Sequence, residues 1–79
     1  MSNYLYPATV ESNNEGGFIA KFRDVPEAIT EAWDLEELKN NARDALISAI
    51  DFYIEDRKAF PVGSTVKSGE IAIELPASV

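Results

Sequence analysis

The side chains of this chain that could do chemistry are almost all carboxylates. Its 79 residues hold 14 Asp and Glu against seven Lys and Arg, a formal net charge of −7, with no histidine and no cysteine. Ser-His and Cys-His nucleophile pairs are therefore excluded, as are His-ligated and thiolate zinc sites and any disulfide framework. What carboxylates alone can support is metal-assisted phosphodiester cleavage, for which Asp24, Asp44, Asp51 and Glu70 are the candidates. Such a site needs several carboxylates converging on one face, and the first strand offers only Glu11, near its end. Asp44 and Asp51 share a helix face with Asn40 and Glu55, the ordinary pattern of a solvated surface. The expectation is no catalytic residue, no cofactor and no metal.

Binding is the better use of these residues. Asp24, Glu27, Glu31 and Trp33 cluster around a bend and the short strand after it. An acidic surface with an aromatic beside it suits the basic face of a protein partner. For Trp33 alone, the simpler expectation is that it packs as core beneath the start of the following helix. The cations (Lys21, Arg23, Lys39, Arg43, Arg57, Lys58, Lys67) form no stripe or patch. Phosphate neutralisation supplies most non-specific affinity for nucleic acid, so the chain by itself is a poor nucleic-acid binder. There is no 18-residue apolar run, and the N-terminus lacks the charged start and apolar core of a signal peptide. A cytoplasmic location is the default expectation.

The element that positions these residues is a helix over residues 34–58. That run contains no Gly or Pro, and Leu35, Leu38, Ala42, Ala45, Leu46, Ala49 and Tyr53 recur at helical spacing. Asp34 followed three residues later by Glu37 is a capping-box signature, and Arg57 and Lys58 are placed to close the last turn. Leu38, Ala42, Ala45, Leu46 and Ala49 should face a sheet, the alanines letting the helix approach closely. A second row, Ile47, Ile50 and Ile54, lies well round from that stripe, with Ile47 and Ile54 nearly opposite it. It reads either as an assembly contact or as a surface covered by the C-terminal tail or the loop at residues 60–62.

Four strands complete the order. Residues 4–12 alternate and contain Pro7, which argues for an edge or a strand start. Residues 13–17 (NNEGG) form the clearest turn, and residues 18–22 return as the second strand of a hairpin. Pro26 breaks the pattern before a short strand at residues 28–33. After the helix, residues 60–69 form a return loop rich in Pro, Gly and small polar residues. Residues 70–75 (EIAIEL) alternate cleanly, with Ile71, Ile73 and Leu75 on one side. The expected architecture is α+β, a β-β-β-α-β two-layer sandwich with one long helix on an antiparallel-rich sheet. Residues 1–79 make a single domain, and one this small buries only about 60–65% of its unfolded surface.

Gly16-Gly17-Phe18, then Phe22, Asp24, Pro26 and Thr30, Leu35-Glu36-Glu37, Ala42, Asp44-Ala45-Leu46 and Asp51-Phe52-Tyr53 carry a resemblance across the whole chain. In this order and spacing the sequence resembles HicB, the antitoxin of bacterial HicA/HicB toxin–antitoxin pairs. The resemblance implies a partial ribonuclease H-like fold, agreeing with the element order reached from the pattern. It also implies a partner, a small basic HicA-type ribonuclease that cleaves messenger RNA and is neutralised by binding, and a homo-oligomeric assembly. By the same resemblance, relatives are expected to continue past residue 79 into a C-terminal DNA-binding domain that represses their own operon, a domain expected to be absent from this chain. DNA contact would then come only through that domain. Trp33 stands where the family usually has a small polar residue. The alternatives are a metal-dependent nuclease of degenerate ribonuclease H type and a non-catalytic regulatory module sharing the fold.

Overall fold

A computed structural model of the protein describes residues 4–75. The elements run β1 (Tyr4–Ser12), β2 (Phe18–Phe22), β3 (Ile29–Ala32), α1 (Leu35–Glu55) and β4 (Glu70–Leu75). The strands form one antiparallel sheet in the order β3-β2-β1-β4, with α1 on one face. This is the α+β arrangement that the sequence pattern predicts. The expected tail at residues 77–79 lies outside the described residues.

Alternation decides which face is buried. Tyr6 and Ala8 on β1, Ala20 and Phe22 on β2, Ala32 on β3, and Ile73 and Leu75 on β4 lie beneath the helix. They meet Leu38, Ala42, Leu46 and Ala49 of α1, all buried, while Ala45 is half-buried at the margin. Val25 and Ala28, from the bend before β3, close the core at the helix C-terminal end.

Both ends of α1 are fixed by hydrogen bonds. Asp34 Oδ1 accepts from the Glu37 N–H at 2.8 Å, while Glu37 Oε1 accepts from the Trp33 N–H at 3.0 Å. The cap is thus reciprocal, but Glu37 reaches one residue further back than a standard capping box. The helix ends at Glu55, three residues short of the sequence expectation. Arg57 turns into the left-handed region at φ 58, and its N–H and that of Lys58 bond back to the Ile54 and Tyr53 carbonyls. Arg57 and Lys58 therefore lie beyond the last turn. Its closing carbonyls are satisfied by backbone.

The sheet also explains Pro7 and Gly63. The Asn13 N–H reaches the Gly17 carbonyl, and the Phe22 N–H reaches the Ala28 carbonyl. Strict antiparallel alternation then points the backbone groups of Thr9 and Glu11 toward β2, and those of Tyr6 and Ala8 toward β4. Pro7 faces the β2 side at a level where β2 has already ended, so its missing N–H costs no ladder bond. Into that gap comes the loop after α1. Gly63 lies so close to the Leu5 carbonyl that a side chain there would collide with backbone. The same loop is held by Tyr6 Oη donating to the Pro61 carbonyl at 2.8 Å, and by Phe60, edge-on to both Tyr6 and Tyr53.

Candidate functional site

The surface with most to offer a partner lies along the outer side of β3 and the helix flank above it. At roughly 100° per residue, Glu37, Asn41, Asp44, Ser48, Asp51, Phe52 and Glu55 follow one another down that flank. Lys39 and Arg43 fall on the other side. The β3 edge adds Glu27 and Glu31, and among the described residues no Lys or Arg pairs with either. Both helix cations thus lie away from β3, while its acids, Glu36 excepted, do not share their side.

Two shallow concavities shape this side. The first, about 310 Å³, is lined by Asn13, Glu15, Glu31, Ala32, Trp33, Glu37 and Asn41. Its wall is Trp33, 66% exposed rather than packed as core. Gly17 explains the placement. A β-carbon there would meet the Ala32 carbonyl at 2.7 Å and the indole at 3.2 Å, so only glycine lets the hairpin lie against the β3–α1 junction. With the hairpin holding one side of the ring, the rest of it faces solvent. Asn13 Nδ2 donates to Glu31 Oε2 at 3.1 Å, orienting that carboxylate without neutralising it.

The second concavity, about 230 Å³, lies between the start of β3 and the helix and is lined by Glu27, Ala28, Ile29, Ala45, Ser48, Ala49 and Phe52. Its floor is apolar and its rims are Ile29 and Phe52, 57% and 66% exposed. Tyr53 Oη donates to both Glu27 oxygens, at 3.0 and 3.1 Å, which fixes the acid at the lower end of the site. Desolvation, followed by this bond to Glu27, raises the Tyr53 pKa.

Residues 5–79 match the family described as the HicB_like antitoxin of bacterial toxin–antitoxin systems. The chain belongs to the HicB-like antitoxin family. It is 42% identical over 74 residues to Antitoxin HicB of Escherichia coli (strain K12), covering 94% of this chain and 54% of that protein. It is 40% identical over 79 residues to Antitoxin HicB 1 of Photorhabdus laumondii subsp. laumondii, covering all of this chain and 50% of the relative. Against Antitoxin HicB 2 of the same organism the figures are 44% over 77 residues, 98% and 53%. The chain thus spans about half the length of the curated relatives it matches.

Within this HicB-like domain the residues singled out from sequence do not all meet. Glu27, Glu31 and Trp33 share the β3 side. Asp24 is set apart, because its carboxylate accepts from the Ser64 N–H and Oγ, both at 2.7 Å, and so latches the loop after α1. Those bonds, the hydroxyl one foremost, hold its pKa below the ordinary value. Glu70 is likewise committed, taking Arg23 Nε and Nη2 at 3.1 and 2.9 Å. Asp44 and Asp51 are exposed on the helix. Among the described residues no three acidic groups gather as metal ligands, and no helix is long and apolar enough to cross a membrane. Of the isoleucine row, Ile47 and Ile50 are half-buried against the core, while Ile54 is 66% exposed.

Sequence reasoning missed Phe52, Ile29 and Asn41. The signal for Phe52 was present: it follows Ala45 and Ala49 along one helix margin, outside the buried arc, and among the described residues it is left largely exposed.

Proposed function

We propose that this HicB-like domain neutralises a HicA-type ribonuclease by binding it through the acidic, aromatic side formed by β3 and α1. Family membership supplies the class of function. The observation that carries the surface is the charge segregation: Glu27, Glu31, Glu37, Asp44 and Asp51 lie on the side that exposes Trp33 and Phe52, away from Lys39 and Arg43. A basic nuclease is attracted to such a face at long range, and the exposed aromatics beside small concavities supply anchors once it arrives. The domain acts by occlusion in the cytoplasm and does no catalysis. Asp24, grouped with these residues by sequence, contributes through the loop it latches. In longer relatives, operator binding and transcriptional autoregulation would reside in the part that residues 1–79 do not span.

Co-expression with a cognate toxin tests the function, growth rescue being the expected result. The surface is tested by Glu27→Ala with Glu31→Ala. Toxin affinity should fall at least about tenfold, with a weaker salt dependence. Unchanged affinity and salt slope in a folded variant would place the toxin elsewhere.

A further inference from the structure

On the reading that a basic protein docks on the β3–α1 side, we infer that the concavity walled by Trp33 receives one arginine side chain of that partner. The guanidinium stacks on the indole and donates hydrogen bonds to the carboxylates of Glu31 and Glu37.

What the concavity offers is set by which of its groups are already engaged. Asn13 Nδ2 donates to Glu31 Oε2, Asn41 Nδ2 donates to the Glu31 carbonyl at 3.2 Å, and the Trp33 N–H donates to Glu37 Oε1. Asn13 Oδ1 accepts from the N–H groups of Glu15 and Gly17, at 2.8 and 2.9 Å. Among the described residues nothing donates to Glu31 Oε1, Glu37 Oε2 or Asn41 Oδ1, and no Lys or Arg lines the concavity. Each of the two carboxylates is thus held by one oxygen and keeps the other as an acceptor. A ligand that fits must bring several donors and a positive charge. Anions are repelled here, and among the described residues no group of acids gathers to hold a metal ion instead.

Trp33 selects among cations. Its ring rests against Gly17 on one side and is otherwise open, and an indole is the best aromatic partner for a cation. A guanidinium is planar, weakly hydrated and carries five N–H donors in a fork, so it stacks and reaches carboxylates at once. An ammonium is compact and strongly hydrated, and makes the poorer match. The nearby start of α1 does not cancel the attraction. A helix N-terminus carries roughly half a positive charge, and the carboxylates of Asp34, Glu36 and Glu37 at this end outweigh it. Asp34 already accepts from the Glu37 N–H. The field at the concavity therefore favours a cation.

Nuclear magnetic resonance titration of the chain with the peptide acetyl-Gly-Arg-Gly-amide tests this, against peptides carrying lysine or citrulline in place of arginine. Trp33 is the single tryptophan, so its indole N–H resonance is unambiguous. The arginine peptide should shift it saturably, together with the side-chain amides of Asn13 and Asn41. Lysine should bind at least about threefold more weakly. Citrulline, which keeps the shape and loses the charge, should not bind. Read from the two asparagine amides, Trp33→Leu should weaken the arginine peptide about two- to fivefold. Glu31→Gln should weaken it too, while Glu74→Gln, on β4, should leave it unchanged. No binding of the arginine peptide, equal binding of citrulline, or indifference to both Trp33→Leu and Glu31→Gln would overturn the proposal. In the complex with a cognate toxin, Trp33 fluorescence should become shielded from acrylamide. A toxin that binds and is neutralised while Trp33 stays open to acrylamide would overturn the arginine site and leave neutralisation standing. A toxin that fails to bind, beside a positive peptide titration, would support the arginine site and refute the docking.

Discussion

The β3 and β4 edges belong to the same sheet and differ in nearly every property that decides what can dock on them. The β3 edge is four residues long, acidic, and overhung by a helix flank whose Asn41 occupies one of its outward carbonyls. A partner docking there would meet side chains, Glu27, Glu31, Trp33 and Phe52 among them. The β4 edge is six residues long, and among the described residues no side chain bonds to its outward backbone groups. An acidic, side-chain-rich surface selects by charge, whereas an open strand edge selects by register. The two flanks of α1 differ likewise: Glu37, Asn41 and Phe52 lie toward β3, and Lys39, Arg43 and Ile50 lie on the side away from it.

The largest effect that would sharpen this contrast comes from the two margins of the helix. Leu46 is fully buried on the β4-ward side of the arc, and Phe52 is exposed on the β3-ward side. Leu46→Ala should cost about 2–5 kcal/mol in urea denaturation, through lost transfer energy and a cavity. Phe52→Ala should stay within about 0.5 kcal/mol, since little is buried there, and should lower only toxin affinity. Equal losses would mean that Phe52 is structural, and the β3 side would lose its second anchor.

A smaller effect is expected where the β3 edge is capped. Asn41→Ala removes one exposed side-chain hydrogen bond and should cost about 0.5–1 kcal/mol. It should also raise hydrogen exchange at the neighbouring helix amides more than at β4. If it cost nothing, the cap would not distinguish the two edges.

The smallest effect lies on the open face of the sheet, where Arg23 and Glu70 tie the end of β2 to the start of β4 over Pro7. Arg23, foremost, and the Lys67 N–H pull the Glu70 pKa from 4.5 down to about 2. A carboxylate depressed in the folded state stabilises above its ordinary value, and that contribution is lost as pH falls toward its folded value. Stability should thus decline between about pH 4.5 and pH 2, and Arg23→Gln should flatten that decline. Denaturation midpoints at about pH 6 and about pH 2.5 would show it. An unchanged acid limb would mean the pair is too solvated to matter.

Much of this was legible in the sequence because its signals are local. Alternation in YLYPATVES, FIAKF and EIAIEL and the NNEGG turn set β1, β2 and β4 at their observed limits. Asp34 marked the start of the helix. Its end was misjudged because Arg57, with no glycine to announce it, takes the left-handed turn. Trp33 was expected in the core on residue type, but its exposure depends on Gly17 admitting the hairpin against the β3–α1 junction, a contact between segments remote in the chain. Asp24 was grouped with a surface it does not join, because Ser64, 40 residues on, claims its carboxylate.

The sequence alone determined the elements, the buried stripe of the helix, the acidic balance and the family, since each is written in neighbouring residues. Only the tertiary structure decided which strands became edges, that Asn41 caps the β3 edge, and that Glu37, Asn41 and Phe52 of α1 stand on the β3 side. Those outcomes depend on strand order and helix rotation, which are set by the packing of distant apolar residues and leave no periodic trace in the chain.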